Sequence, residues 1–239
     1  MANYFDLNLP TGGILYDGIE NPQIRPLIGS DEELLSSTSI NNIETSIKKL
    51  IKATTTGIPD VGKVTLGDQL FALIWLAIQS IGKDYPVTLY CDHCYQKVDC
   101  DIDLSTITVD ILDGSIVENN EVELSDGKKV KLKLFTVDDE INIARYEKEH
   151  PDKAWSYRWA CTIVDKSNDI FAKMKLFDEM PVCDTNTIKA FQVKYKHGPD
   201  LKSGKYTCPK CGGEGNVSVP FQLDYLFPTD EQLRRYIRA

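Results

Sequence analysis

Two short cysteine pairs constrain this chain more than anything else in it. The first lies in "YCDHCYQKVDC", at Cys91 and Cys94, and the second in "TCPKCGGEGN", at Cys208 and Cys211. Cys208 stands 114 positions beyond Cys94, so a fold that uses both pairs together must bring distant segments into contact. Thiolates are strong ligands for zinc, and a structural zinc takes four of them in a tetrahedron. A C-x-x-C turn offers two sulfurs to one ion while nearby amides donate to them. Pro209 inside the second pair and the glycines after it suit such a turn. Each pair leads into strand-like sequence, "KVDCDIDL" and "NVSVPF", which is the layout of a zinc ribbon. Compact ribbons separate their pairs by roughly 15 to 20 residues. Here a whole module is inserted, so zinc binding energy becomes folding energy for both ends of a long loop. The expected ligands are Cys91, Cys94, Cys208 and Cys211, and the expected cofactor is zinc.

Rival readings of the thiols are weaker. Seven cysteines is an odd number for a disulfide framework. A thioredoxin-like redox pair calls for a strand-then-helix context, which follows neither motif. His93 sits between two cysteines, where simultaneous coordination is awkward, and reads as a turn residue. Cys100 lies on the apolar side of its strand and Cys161 on a predicted helix, so both read as core. Cys183 reads as an idle thiol.

Composition narrows the function classes. Hydrophobic residues make up 42% of 239, charged residues 26% and aromatics 9%, enough for a packed core. The net charge of −9 argues against binding nucleic acid or an anionic membrane surface, both of which need clustered Lys and Arg. The opening "MANYFDLNLPTGG" has no basic leader followed by an apolar core, so a soluble, cytoplasmic chain is expected. The longest apolar run, Phe71 to Ile78, is short beside the roughly twenty residues of a membrane span.

The periodicity predicts an α+β fold. Residues 1–30 read as an extended arm with turns at Thr11–Gly13 and Asp17–Gly18, able to wrap a neighbouring subunit. Residues 31–85 read as a helical core region. Ser30 and Glu33 are spaced as a capping box, Ile43, Ile47, Leu50 and Ile51 share a helical face, and "LGDQLFALIWLAIQSIG" is apolar nearly all round. Trp75 on that helix reads as packing, and Gly82 as its stop. Residues 86–105 and 203–228 form the zinc-ribbon-like small sheet. Residues 106–202 form an inserted module: a hairpin turning at Asp126–Gly127, then helices over 136–150, 154–164 and the stretch "TNTIKAFQVKYKHG". "VSVPFQLDYLFP" returns to strand character, with Phe221, Leu223 and Tyr225 on one face, and 229–239 reads as a terminal helix.

No catalytic pattern stands out. Asp99, Asp101 and Asp103 lack the Gly and Glu of a calcium loop, since Leu104 and Asp110 occupy those places. Gly212, Gly213 and Gly215 do not sit between a strand and a helix, so a phosphate loop fails. His93, His150 and His197 are scattered, the last two near predicted helix ends where a cation is favourable. A non-enzymatic role is expected.

The succession of features resembles one known family. "LPTGGILYDG", "IRPLIGSDEELL", the core helix after "VTLGDQLFALIWLAIQSIG", then "YPVTLYCDHCYQKVDCDIDLSTI" and "CPKCGGEGNVSVPFQLDYLFP" together look like the baseplate proteins of T-even-like contractile-tailed bacteriophages. The likeness is clearest over 8–105 and 205–228. It implies a structural or assembly protein of the virion tail baseplate, made in the host cytoplasm and partnered with other baseplate, hub and tail proteins. Members are hub subunits or hub assembly chaperones absent from the finished particle, and both readings stay open. Cys91, Cys94, Cys208 and Cys211 match the family's two knuckles. A further alternative is a zinc-ribbon nucleic-acid-binding accessory protein, although Lys97, Lys205 and Lys210 are the only bases near the knuckles.

Overall fold

The computed structural model describes residues 3–36, 43–166, 169–222 and 225–226. Helices and short antiparallel sheets are mixed along the chain, consistent with an α+β fold. β1 (Phe5–Asp6) and β2 (Gln23–Ile24) come first, then α1 (Glu32–Ser36), α2 (Ile43–Thr54) and β3 (Thr55–Thr56), which pairs back on β2. Leu7, Leu9 and Ile24 are buried in the chain's own core, while Tyr4, Phe5 and Ile14 of the same stretch are exposed. The turn into α1 is closed by Asp31. Its Oδ2 accepts from the Ile28 N–H at 2.9 Å, and the same carboxylate takes Arg25 at 2.7 and 3.0 Å.

α2 buries Leu50 and Ile51 but leaves Ile43 largely exposed at its start. α3 (Leu66–Ser80) begins at Thr65, whose hydroxyl accepts from the Asp68 N–H, and runs through the middle of the larger core. Trp75 packs on Phe5 with ring centroids 5.6 Å apart, as core packing requires. Gly82 follows with φ +139° and donates its N–H to the Ala77 carbonyl, which ends the helix.

β4 (Asp84–Tyr90) and β5 (Lys97–Asp103) form a seven-residue hairpin in register from Asp84↔Asp103 to Tyr90↔Lys97. Val98 and Ile102 turn inward, while Asp99 and Asp101 face solvent. After β6 (Val109–Asp110), β7 (Glu121–Glu123) and β8 (Lys129–Leu132) make the expected hairpin, with Gly127 at φ +81° in its turn.

α4 (Val137–Glu149) is followed by α5 (Ala154–Ala160), which stops short of the expected end at Val164. Ile163 and Val164 form β9 against β8 instead: a β-branched run beside an unpaired strand edge is better placed in the ladder. α6 (Ile170–Glu179) was not foreseen. Asp169 caps it, accepting from Phe171 and Ala172 amides, and it buries Met174 and Phe177. α7 (Val182–Lys194) starts earlier than its apolar pattern suggested.

β10 (Gly198–Pro199) pairs with β6, and β11 (Gly204–Thr207) with β12 (Glu214–Val217). The expected strand character stops at Val217. Beyond it Val219 is buried, and Phe221 and Tyr225 pack on the Tyr85 ring at 5.9 and 4.7 Å. Leu223 and the expected terminal helix at 229–239 lie outside the described residues. The larger core joins the N-terminal stretch, α2, α3 and the β4–β5 sheet. A second core, with Leu132, Ile163, Phe177 and Ile188 among its members, lies within residues 112–195. Among the described residues no helix is long and apolar enough to cross a membrane.

Candidate metal centre

The tips of two hairpins meet. β4–β5 carries Cys91 and Cys94 in its turn, β11–β12 carries Cys208 and Cys211, and the four Sγ atoms lie within 4.8 Å of one another. Across the hairpins Cys91 and Cys211 sulfurs are 3.7 Å apart, and Cys94 and Cys208 sulfurs 3.9 Å. A metal–sulfur bond of about 2.3 Å gives a tetrahedron with edges of about 3.8 Å, so the spacing fits four thiolates around one ion. It does not fit disulfides, whose sulfurs stand about 2 Å apart, and all four cysteines are free.

The two turns repeat one backbone design. The Cys91 N–H donates to the Gln96 carbonyl at 3.0 Å, and the Tyr95 N–H to the Cys91 carbonyl at 2.8 Å. In the second turn the Cys208 N–H donates to Gly213 at 2.8 Å, and the Gly212 N–H to Cys208 at 2.8 Å. This design needs a left-handed residue straight after the second cysteine. Gly212 supplies it at φ +72°, whereas Tyr95 does so at φ +57° with its side chain 82% exposed.

Amides point at the sulfurs, as the His93 N–H donates to Cys91 Sγ and the Gly213 N–H to Cys211 Sγ, both at 3.4 Å. The Cys91 thiol is drawn down to about 6, chiefly by the backbone of Cys94 and then of His93. At Cys211 the Gly213 amide pulls downward, but burial and the neighbouring thiols outweigh it and push that thiol up to about 12. One negative charge thus settles readily while further ones repel. A cation removes that conflict, because a coordinated thiol is deprotonated outright. The donor set, its spacing and its electrostatics all fit a bound metal ion.

His93 stays off the four-sulfur cluster and ties the hairpins together. Its Nε2–H donates to the Glu214 carbonyl at 2.8 Å. Its ring lies so close over Gly213 that a Cβ there would stand 2.5 Å from His93 Cδ2. The Asp92 N–H donates to the Tyr206 hydroxyl at 3.1 Å, and Lys210 Nζ to the Lys97 carbonyl at 3.2 Å. Cys91 and Cys208 are both buried, packed with Val98 and Tyr206. Cys100 borders this cluster as a half-buried thiol, Cys161 is buried in the helical module, and Cys183 is exposed.

A second polar assembly went unseen in the sequence. Asp68 is fully buried near the start of α3. Its Oδ1 accepts from the Thr11 N–H at 3.1 Å, and its Oδ2 from the Thr11 and Tyr16 hydroxyls at 2.5 and 2.6 Å. Thr65 lies beside it, 2.7 Å from His197 Nε2. His197 Nδ1 is 3.0 Å from the Tyr195 carbonyl and donates to it. Burial raises the Asp68 carboxyl above its ordinary range, and burial followed by the Asp68 charge raises the Tyr16 hydroxyl. His197 thus sits at a helix C-terminus as expected, on the carbonyl of Tyr195, the C-cap of α7, and its other ring nitrogen reaches Thr65 at the N-terminal cap of α3. The only sequence hint was the glycines. A Cβ on Gly67 would meet His197 O at 2.5 Å, and one on Gly198 would meet Gly67 Cα at 2.7 Å. His150 does end its helix, with Tyr146 beside its ring.

Comparison with known proteins adds one finding. A family model described as T4 bacteriophage base plate protein matches residues 4–228. No curated protein matches, and no solved structure does.

Proposed function

Since the chain belongs to the T4 bacteriophage base plate protein family, and so to a tail structure assembled from other phage proteins, we propose that it is a zinc-stapled, non-catalytic structural component of the baseplate hub. The observation that carries this reading is the convergence of Cys91, Cys94, Cys208 and Cys211 at tetrahedral spacing. A four-sulfur set suits zinc, and a site with all four positions filled by protein leaves none open for substrate. The ion's task is then mechanical. It joins the β4–β5 and β11–β12 hairpins, and with them the two ends of the segment that folds into the second core. The Asp68 assembly supports a non-catalytic role, because its hydroxyls and carboxylate are consumed in tying Thr11 and Tyr16 to α3.

Metal analysis of the purified chain tests the staple. One zinc per chain, with sulfur-only ligation in X-ray absorption, is the expected result; no bound metal, or oxygen and nitrogen ligands, would overturn it. Mass spectrometry of intact particles tests the hub assignment. A structural subunit is found in the virion, whereas a chaperone is found only in assembly intermediates.

A further inference from the structure

We propose that the outer edge of β4, between Pro86 and Tyr90, is a docking slot for an extended segment of a partner protein with alternating apolar and basic residues. This deepens the assembly reading above and rests on it. The hairpin ladder sets which backbone groups of β4 point outward. The Leu104 N–H donates to Lys83 O at 2.8 Å, and the Cys91 N–H to Gln96 O at 3.0 Å. Hydrogen-bonded pairs alternate along an antiparallel ladder. The odd-numbered residues of β4 therefore face β5, and the even-numbered ones turn their backbone groups outward.

Among the described residues, that outer edge is closed at both ends and carries no paired strand between them. The Tyr225 hydroxyl donates to the Asp84 carbonyl at 3.1 Å, and the Asp92 N–H is taken by the Tyr206 hydroxyl at 3.1 Å. Among the described residues, the carbonyls of Pro86, Thr88 and Tyr90 and the amides of Thr88 and Tyr90 have no partner. A groove of about 330 Å³ runs along this stretch, between Tyr85–Leu89 and the segment of Val217, Ser218 and Pro220. Unpaired edges are normally covered or blunted, and Pro86 blunts only one position.

The chemistry of the slot selects its occupant. Alternating free donors and acceptors are matched by an extended backbone, which adds as a strand. Val87, Leu89 and Val217 line or border the inner side and take apolar side chains. On the outer face Thr88 lies against the exposed Asp99 and Asp101, beside a second shallow depression shared with Pro86 and Val87. Asp99, which accepts from the Thr88 hydroxyl at 2.6 Å, and Asp101 lie one strand further in on β5, so only a long cationic side chain on that face of an added strand, Lys or Arg, reaches over Thr88 toward them. Tyr90, 71% exposed, extends the same face.

The test uses the purified full chain and an acetylated peptide alternating valine and lysine, with a control peptide N-methylated on alternate residues. Binding is followed by fluorescence anisotropy and amide exchange. The expected result is saturable binding of the first peptide, protection of the Thr88 and Tyr90 amides, and at least about tenfold weaker binding of the control. Asp99→Asn with Asp101→Asn should weaken binding several-fold while metal content stays unchanged. Equal binding of both peptides, protection confined elsewhere, or no binding would each overturn the slot. Incorporation of the chain into baseplates, scored separately in particles, reports on the assembly reading. Incorporation without peptide binding would sink the slot alone, while absence from particles would sink the structural reading.

Discussion

The cysteine cluster and the Asp68 assembly do the same mechanical job with opposite chemistry. The cluster joins hairpin tips at a sequence separation of 114, and the Asp68 assembly joins segments at separations of 57 and 132. In the first, like charges converge and need a cation to be reconciled. In the second, one carboxylate is surrounded by donors and balanced locally, at the cost of burying its charge. The difference teaches that a staple can hang on one removable ion or be spread over several hydrogen bonds. The first kind fails all at once when the ion leaves; the second yields piece by piece.

Removing the metal should have the largest effect. Chelation, or Cys208→Ser, is expected to forfeit most of the metal-linked stabilisation, on the order of 10 kcal/mol for a structural zinc site. Amide exchange should show β4–β5 and β11–β12 losing protection together. If β4–β5 kept its protection, the hairpins would not be one unit. Next comes Asp68→Ala, which leaves the Thr11 and Tyr16 hydroxyls and the Thr11 amide without their acceptor. Denaturant unfolding should report a loss of about 3 kcal/mol with metal content unchanged. Release of metal by this variant would mean that the two staples are coupled and would break the comparison.

Within the cluster, the two turns differ by about 1–2 kcal/mol of backbone strain, because Tyr95 lacks the freedom that Gly212 has. Tyr95→Gly should raise the melting temperature slightly, and Gly212→Tyr should lower it. A fall with Tyr95→Gly would show that the exposed ring makes a contact worth more than the strain. His93→Ala removes one cross-hairpin hydrogen bond and should cost about 1 kcal/mol. It should also lower metal affinity measurably while leaving the Asp68 region's exchange untouched.

The pH dependence separates two carboxylates. Burial raises Asp68, so the folded chain holds that proton more tightly than the unfolded chain. Its contribution to stability therefore falls as pH rises from about 3.9, the unfolded value, through the folded one. Asp31 is net lowered; its burial is outweighed by Arg25 and the Ile28 amide. Its contribution is present above about 3.9 and is lost as pH falls through its folded value. Stability curves for Asp68→Asn should lose the decline above about pH 4, and curves for Asp31→Asn should lose the drop below it.

How much of this was legible in the chain differs by region. The two Cys-x-x-Cys pairs are explicit in the sequence, so the four cysteines that cluster could be named from it. The period-two pattern of β5 and the Asp126–Gly127 turn were equally plain, since alternation and turn chemistry are local. The break at Ile163 was not, because the residues after Ala160 join a strand only when the β8 edge lies beside them. α6 escaped notice because its apolar residues do not keep to one face, Met174 and Phe177 being buried while Phe171 and Leu176 are exposed, and its cap, Asp169, is a common residue.

By itself the sequence determined the thiol donor set, the central helix around Leu76 and Ala77, and the acidic balance that disfavours phosphate backbones. All of these rest on residue chemistry or on neighbours a few positions away. Only the tertiary structure decided that Leu7, Leu9 and Ile24 pack inward, that Asp68 gathers Thr11 and Tyr16, that His93 locks one hairpin to the other, and that no strand of the described residues covers the β4 edge. Each of these depends on which distant backbone arrives within hydrogen-bond reach. That arrangement is fixed by packing summed over the whole core, and no short stretch of residues encodes it.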